Sequence, residues 1–144
     1  MPEVGRVLFA AYRGTVDDEG EDESGAIGEV ERTVEGEYGP FLPEASFVVA
    51  DGGRIVGASL VTMFESRPFI AHAVVHPDAK RRAIGASLIT ASGNALLSAG
   101  HARLDLFVTE ANEPAVALYR KLGFEQVERF TEPAPSYASR RSVP

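Results

Sequence analysis

Apolar residues near the start of the chain recur at Val4, Val7, Leu8, Ala11 and Tyr12, the i, i+3, i+4, i+7, i+8 spacing of one helical face. Gly14-Thr15 ends that helix, and an acidic loop from Asp17 to Glu23 follows. Ser24 or Glu23 is placed to cap a second helix whose inner face carries Ile27, Val30 and Val34. Gly36 to Pro43 is punctuated by Gly39 and two prolines and reads as a rigid loop. The period then shortens. Ser46–Ala50 and Arg54–Phe64 read as strands joined by a tight turn at Asp51-Gly52-Gly53. Arg67-Pro68 turns the chain into a third strand over residues 69–75. Ile84, Leu88, Ala91, Ala95, Leu96 and Ala99 mark a helix over residues 83–99, which Gly100 stops. Leu104–Val108 is apolar on both faces, as a central strand is. Pro114 and Gly123 bracket another helix, and a last strand covers residues 124–130. Residues 131–144, rich in Pro, Ser and Arg, are expected to form a flexible C-terminal tail.

The order α-α-β-β-β-α-β-α-β predicts an α/β fold. Its mixed, mostly antiparallel central sheet of about five to six strands would be flanked by helices on both faces. A chain of 144 residues fits one domain, placed at residues 1–130. No strand is evident before the first helix or after residue 130. Either the chain is trimmed there or a partner copy, as in a homodimer, supplies the edges.

Bulk properties narrow the function classes. Hydrophobic content of 44% and charged content of 24% are those of an ordinary globular protein. The absence of Cys removes disulfides, thiolate metal sites and a Cys nucleophile. No apolar run approaches the ~20 residues that span a bilayer, and no signal-peptide pattern opens the chain. The reading is a cytoplasmic protein without a membrane partner. Net charge is −7, but residues 1–51 carry 13 acidic and 3 basic side chains, whereas residues 52–144 carry 8 and 11. Such a balance disfavours nucleic acid and leaves the acidic half able to attract a cationic amine, or simply solvated. The three histidines, His72, His76 and His101, lack ligand spacing, so no metal site is expected.

The most informative stretch is His76-Pro-Asp-Ala-Lys-Arg-Arg-Ala-Ile-Gly-Ala-Ser-Leu88, after the third strand. A strand, a short loop and a helix N-terminus bring free N–H groups and the positive end of the helix dipole together, and Lys80, Arg81 and Arg82 add charge suited to a pyrophosphate. Some thirty residues on comes Asn112-Glu-Pro-Ala-Val-Ala-Leu-Tyr-Arg-Lys-Leu-Gly-Phe124. Together these segments resemble the two signatures of the GCN5-related N-acetyltransferase (GNAT) superfamily, Gln/Arg-x-x-Gly-x-Gly/Ala after a strand and Asn-x-x-Ala-x-x-Leu-Tyr-x-x-x-Gly-Phe. Anchored on Pro77, Lys80 stands where the family has Gln or Arg, and Ala83 replaces the first Gly. If the backbone at 83 has positive φ, Ala costs about 1 kcal/mol there; in a regular helical turn it would be the better residue.

The resemblance implies an acyl-CoA N-acyltransferase fold over residues 3–130. It also implies an acetyl-CoA-dependent N-acetyltransferase acting on a primary amine of a small molecule or protein, by direct attack in a ternary complex. The coenzyme would be held by Arg81, Arg82, Ala83, Ile84, Gly85 and Ala86, by amides of Ala73, Val74 and Val75 on a strand splayed at a bulge, and by Asn112. Tyr119 matches the general acid that protonates the departing thiolate. Where some members carry a Glu as base, this chain has Phe107. Candidate bases are Glu65, Asp105 and His72, with Glu65 preferred. The acceptor would be lined by the first two helices and the loop Tyr38–Phe41, with Tyr12, Arg13 and Tyr38 as walls. A rival reading is a catalytically weak acyl-CoA binding or sensing module. A nucleotide-binding domain is disfavoured, because neither a Walker-type glycine run nor an acidic ribose reader is present.

Overall fold

Among the described residues helices pack on both faces of one sheet. The computed structural model describes residues 2–15, 18, 20–80, 82–130 and 136–142. Helices α1 (Pro2–Tyr12) and α2 (Glu23–Val34) come first, then strands β1 (Phe47–Asp51), β2 (Arg54–Phe64) and β3 (Arg67–Val75). Helix α3 (Ile84–Ser98), strand β4 (Arg103–Thr109), helix α4 (Glu113–Lys121) and strands β5 (Glu125–Phe130) and β6 (Ser136–Ser142) complete the chain. No strand precedes α1 among the described residues.

The sheet has six strands in the order β1-β2-β3-β4-β6-β5. Every pairing is antiparallel except β3 with β4. Val4, Val7 and Leu8 of α1 and Ala26 and Val30 of α2 pack on one face against Ala58, Leu60 and Val74. Ile89 and Leu96 of α3 pack on the other against Val61, Ile70, Leu104, Leu106 and Val108. Leu118, Tyr119 and Leu122 of α4 join that second cluster from its margin. The mixed, two-face architecture is the one the hydrophobic pattern predicts.

Local chemistry adjusts several boundaries. The cap of α2 is Asp22, one residue before the expected Glu23 or Ser24, because its Oδ1 accepts from the Gly25 N–H at 2.8 Å. The buried face of α3 is Leu88, Ile89, Ser92, Gly93 and Leu96, whereas the expected Ala99 lies exposed beyond the helix. A buried hydrogen bond between the Ser59 and Ser92 hydroxyls, 2.9 Å long, ties α3 to β2. Gly57 lets the same helix come close: a Cβ there would stand 3.0 Å from Ile84 Cγ2 and 3.1 Å from Leu88 Cδ1.

The largest departure is at the C-terminus. In place of a flexible tail after residue 130, residues 136–142 form β6, which lies between β4 and β5. Its backbone pairs with β4 from Arg103↔Ser142 to Thr109↔Ser136 and with β5 along its other edge. The segment Ser-Tyr-Ala-Ser-Arg-Arg-Ser carries no apolar alternation; its strand state comes from two neighbours offering ladder hydrogen bonds.

Ala83 precedes α3 with φ 56° and ψ 23°, a left-handed conformation, and its side chain makes no capping bond. This resolves the conditional posed by the sequence: the backbone at 83 takes the glycine-type conformation. Ala83→Gly removes the steric cost of the left-handed backbone but adds entropy to the unfolded chain. We therefore expect a net stabilisation of up to about 1 kcal/mol, read as a higher denaturation midpoint at unchanged m-value. A lower midpoint would show that Ala83 is not strained.

Candidate functional site

The feature that organises the site is a gap in the sheet. β3 and β4 pair only at Phe69↔Asp105 and Ile70↔Leu106. Beyond Ile70, β3 stays with β2 as far as Val75, while β4 stays with β6, so a wedge opens between them. The divergence starts at a bulge: Leu60 opposes His72 and Val61 opposes Ile70, leaving Ala71 as the extra residue. Ladder alternation then fixes where the amides point. The His76 N–H bonds to the Val56 carbonyl at 2.7 Å, so residues 76, 74 and 72 face β2 and residues 75 and 73 face away from it. The N–H groups of Ala73 and Val75 are therefore turned towards the wedge. Val74 departs from expectation: its amide faces β2, and its side chain is buried against α1 and α2.

The chain leaves β3 through a short 3₁₀ turn, Pro77–Ala79, in which His76 Nδ1 accepts from the Asp78 N–H at 3.1 Å. Ala79 is buried and anchors the turn. Arg81 lies outside the described residues. Arg82 donates to Asp51 Oδ2 at 2.9 Å, both side chains being half exposed, so the basic loop is tied to the β1–β2 hairpin. The first intrahelical bond of α3 runs from the Ser87 N–H to the Ala83 carbonyl, which leaves the N–H groups of Ile84, Gly85 and Ala86 for an external acceptor. A Cβ on Gly85 would stand 3.4 Å from Leu118 Cδ2 and 3.7 Å from Val75 Cγ2. The end of β3, the start of α3 and the middle of α4 thus meet at Gly85.

On α4, Asn112 is the N-cap: its Oδ1 accepts from the Ala115 N–H at 3.3 Å. Tyr119 is half buried, its ring centroid 5.7 Å from that of Phe124. With Val108, Val116 and Phe124 it lines a cavity of about 280 Å³ between α4, β4 and the start of β5.

The candidate bases separate clearly. Glu65 lies away from the open end of the wedge. It occupies the two-residue turn between β2 and β3 with φ 51°, next to Ser66 at φ 64°, and is exposed. At strand rise the turn lies roughly 20 Å from Ala73. Asp105 sits at the closed end of the wedge, 3.9 Å from Arg67. His72 follows the bulge directly and points to the α1–α2 face. Its Nε2 lies 3.2 Å from Thr33 Oγ1, and burial pushes its pKa below the ordinary 6.5, with Glu29 opposing more weakly.

On that face a cleft of about 190 Å³ is lined by Glu29, Tyr38, Thr62, Phe64, Phe69, Ala71 and His72. Of the expected acceptor walls, Tyr38 is there. Tyr12 packs instead against the α1–α2 core, and the Arg13 guanidinium lies 5.7 Å from the Phe9 ring centre. The sequence reading missed Glu29, Thr33, Phe64 and Phe69, and gave Phe107 only as the residue standing where some members carry a Glu. Each is an ordinary residue of its helix or strand until the bulge brings them together.

Comparison with known proteins follows the same lines. A model of the acetyltransferase (GNAT) family matches residues 12–124. The chain is 32% identical over 85 residues to a mycothiol acetyltransferase of Clavibacter sepedonicus, covering 58% of this chain and 28% of that one. It is 30% identical over 89 residues to the acetyltransferase ECA0875 of Pectobacterium atrosepticum, covering 62% and 63%. The chain therefore spans less than two thirds of either relative. The ribosomal-protein-S18-alanine N-acetyltransferase of Escherichia coli shares the fold with a TM-score of 0.74 over 99% of this chain and 86% of that one, at 19% identity. The family match takes in the wedge, the start of α3 and the whole of α4, and on that basis the chain belongs to the acetyltransferase (GNAT) family.

Proposed function

We propose that the chain moves an acetyl group from acetyl-CoA to a primary amine of a small molecule or protein, by direct attack in a ternary complex. The observation that carries this reading is the wedge, whose two outward amides, Ala73 and Val75, run up to the open amides of α3. An extended amide-bearing arm ending in a pyrophosphate has that pattern of acceptors: strand-like pairing first, then an anion at a helix N-terminus. Ala83, Gly85 and Ala86 are small, so backbone can approach a phosphate closely. Acetyl-CoA supplies an activated thioester.

The protein's part is to hold, polarise and move protons. The Ala73 N–H, turned into the wedge beside His72 and farther than Val75 from the anion end of the arm, donates to the thioester oxygen as charge develops on it. The Asn112 side chain caps α4 and serves as a contact for the coenzyme arm. Tyr119, a phenol protonated at neutral pH, gives its proton to the departing thiolate. The rival reading, a catalytically weak acyl-CoA binding or sensing module, draws on Ala83 in its left-handed conformation and on the exposed Phe107 where some members carry a carboxylate. Turnover separates the two readings.

The Arg82–Asp51 pair makes one test with opposite signs. Arg82→Ala should weaken acetyl-CoA binding by about 1 kcal/mol, roughly fivefold, the scale of an exposed charge-assisted contact. Asp51→Ala frees the guanidinium and should tighten binding by a smaller factor. Both effects should shrink in high salt when read by titration calorimetry. Equal affinities in all three proteins would make the pair a surface tie alone.

Tyr119→Phe keeps the ring against Phe124 and removes the proton donor. We expect kcat to fall roughly 10²–10⁴-fold while acetyl-CoA affinity holds, because the phenol acts in the transition state. Turnover of acetyl-CoA with an acceptor panel, alongside coenzyme calorimetry, reads both quantities. A variant at the wild-type rate would return Tyr119 to a packing role, and a wild type that binds coenzyme without turnover would favour the sensing module.

A further inference from the structure

A wedge between two strands is a window through the sheet. The open amides of α3 and the ring of Tyr119 lie on the α3–α4 face, whereas the 190 Å³ cleft lies on the α1–α2 face and starts at the same bulge residue, Ala71. A coenzyme on one face and a second reactant on the other can therefore meet at the gap.

The cleft has a distinct chemical character. Its lining is partly aromatic: Phe64 and Phe69 have ring centroids 5.2 Å apart, and beside the cleft Phe107 from β4 stands 6.0 and 4.8 Å from them. Phe64 is 39% and Phe107 50% exposed, so this apolar surface is open to solvent. One wall is a carboxylate held in place. Glu29 Oε2 accepts from the Tyr38 hydroxyl at 3.0 Å and from Arg32 at 2.9 Å, leaving Oε1 as a further acceptor. His72 also lines the cleft, and its tautomer is fixed by its neighbours. The Thr33 hydroxyl has one proton, and donates it to the Glu29 carbonyl at 2.9 Å. At 3.2 Å, His72 Nε2 must therefore be the donor to Thr33 Oγ1, which leaves Nδ1 with the lone pair.

We propose that this cleft is the acceptor pocket, that it takes a primary ammonium carried on an aromatic or other large apolar body, and that His72 Nδ1 removes its proton. The inference rests on the acetyl-transfer reading. The ammonium gives one proton to His72. The freed lone pair attacks the thioester carbonyl carbon, and the C–S bond breaks as the C–N bond is retained. The departing sulfur takes the Tyr119 proton. The second proton of the nitrogen restores Tyr119, and His72 returns its own to water. Among the described residues the charged groups at this site are Glu29 and Arg32 from α2 and Asp105 of β4, the last paired with Arg67; the neighbouring phenol is Tyr38. Burial keeps His72 neutral to a pH below the ordinary 6.5, so the base is available at neutral pH.

The experiment compares kcat/KM with acetyl-CoA for phenethylamine, a short peptide with N-terminal Phe, spermidine and an aminoglycoside. Coenzyme binding is measured in parallel by calorimetry. We expect an aromatic acceptor to exceed spermidine by roughly tenfold or more, and Phe64→Ala to remove most of that preference. Which of the two aromatic probes leads identifies the source as a free arylalkylamine or a peptide N-terminus. His72→Gln should lower kcat roughly 10²–10⁴-fold without changing coenzyme affinity. If that variant does not fold, the wild-type kcat profile carries the test: its acid limb should lie below pH 6.5. Spermidine as best acceptor, an active His72→Gln, or a limb at or above the ordinary histidine value would each overturn the inference. A wild type that binds acetyl-CoA yet turns over no aromatic amine overturns it while coenzyme binding stands. Failure to bind acetyl-CoA removes the acetyl-transfer reading and this inference with it.

Discussion

Among the described residues two ladder pairs, Phe69 with Asp105 and Ile70 with Leu106, join the two halves of the sheet, and the rest of the site depends on that ladder being so short. One more pair would consume an amide of β3 and narrow the gap. The contact persists because it lies beneath α3, where Ile70, Leu104 and Leu106 share one buried cluster with Ile89 and Leu96. Apolar burial, and not the ladder, holds the halves together at that point. The strands can therefore diverge beyond it at small cost, since each keeps a full partner on its outer side: β2 for β3, and β6 for β4.

The placement of α3 follows from the same constraint. Its first turn must stand over the end of β3 if its free amides are to adjoin the wedge. Gly57 supplies the room and the Ser59–Ser92 bond fixes the height. Gly85 then brings the helix against Val75 and Leu118. A side chain larger than Ala at 85 would press into that apolar contact before it met any ligand. Substitution there would thus confound packing with binding, which is why Arg82 and Asp51, both exposed, are the cleaner probes of the loop.

What was legible in the sequence divides along physical lines. Strong periods gave α1, β2, β3, α3 and β4 within a residue or two of their ends, because burial on a defined face imposes the pattern. The two motif segments pointed to Gly85 and Tyr119, which the fold brings to one region of the α3–α4 face. β6 was invisible: its residues are polar, and its pairing is decided by two strands already present. The positions of Glu65 and Val74 were hidden for a related reason. Whether a residue faces the wedge depends on the bulge at Ala71 and on ladder alternation, and neither leaves a mark in the run Phe69-Ile-Ala-His-Ala-Val-Val75. The neighbours of His72 were hidden by separation in sequence, Thr33 lying 39 residues away.

Charge shows the same two-sidedness as the sheet. Residues 1–51, which form α1, α2 and β1, hold 13 acidic against 3 basic side chains, whereas residues 52–144 hold 8 against 11. The helices bordering the aromatic cleft thus belong to the acidic part, and the loop leading into α3 belongs to the mildly basic part. A polyanionic coenzyme and a cationic amine repel neither their own face nor each other's approach if they arrive from opposite sides, and long-range attraction assists each of them. Only one ion pair in the described residues links the basic loop to the acidic part directly, Arg82 with Asp51. It lies half exposed at the mouth of the loop, where screening makes it weak and an arriving phosphate can compete for the guanidinium. The separation of charge that sequence composition records is therefore the electrostatic counterpart of the gap in the sheet: on the proposed reading each substrate would be drawn to its own side, to meet where β3 leaves β4.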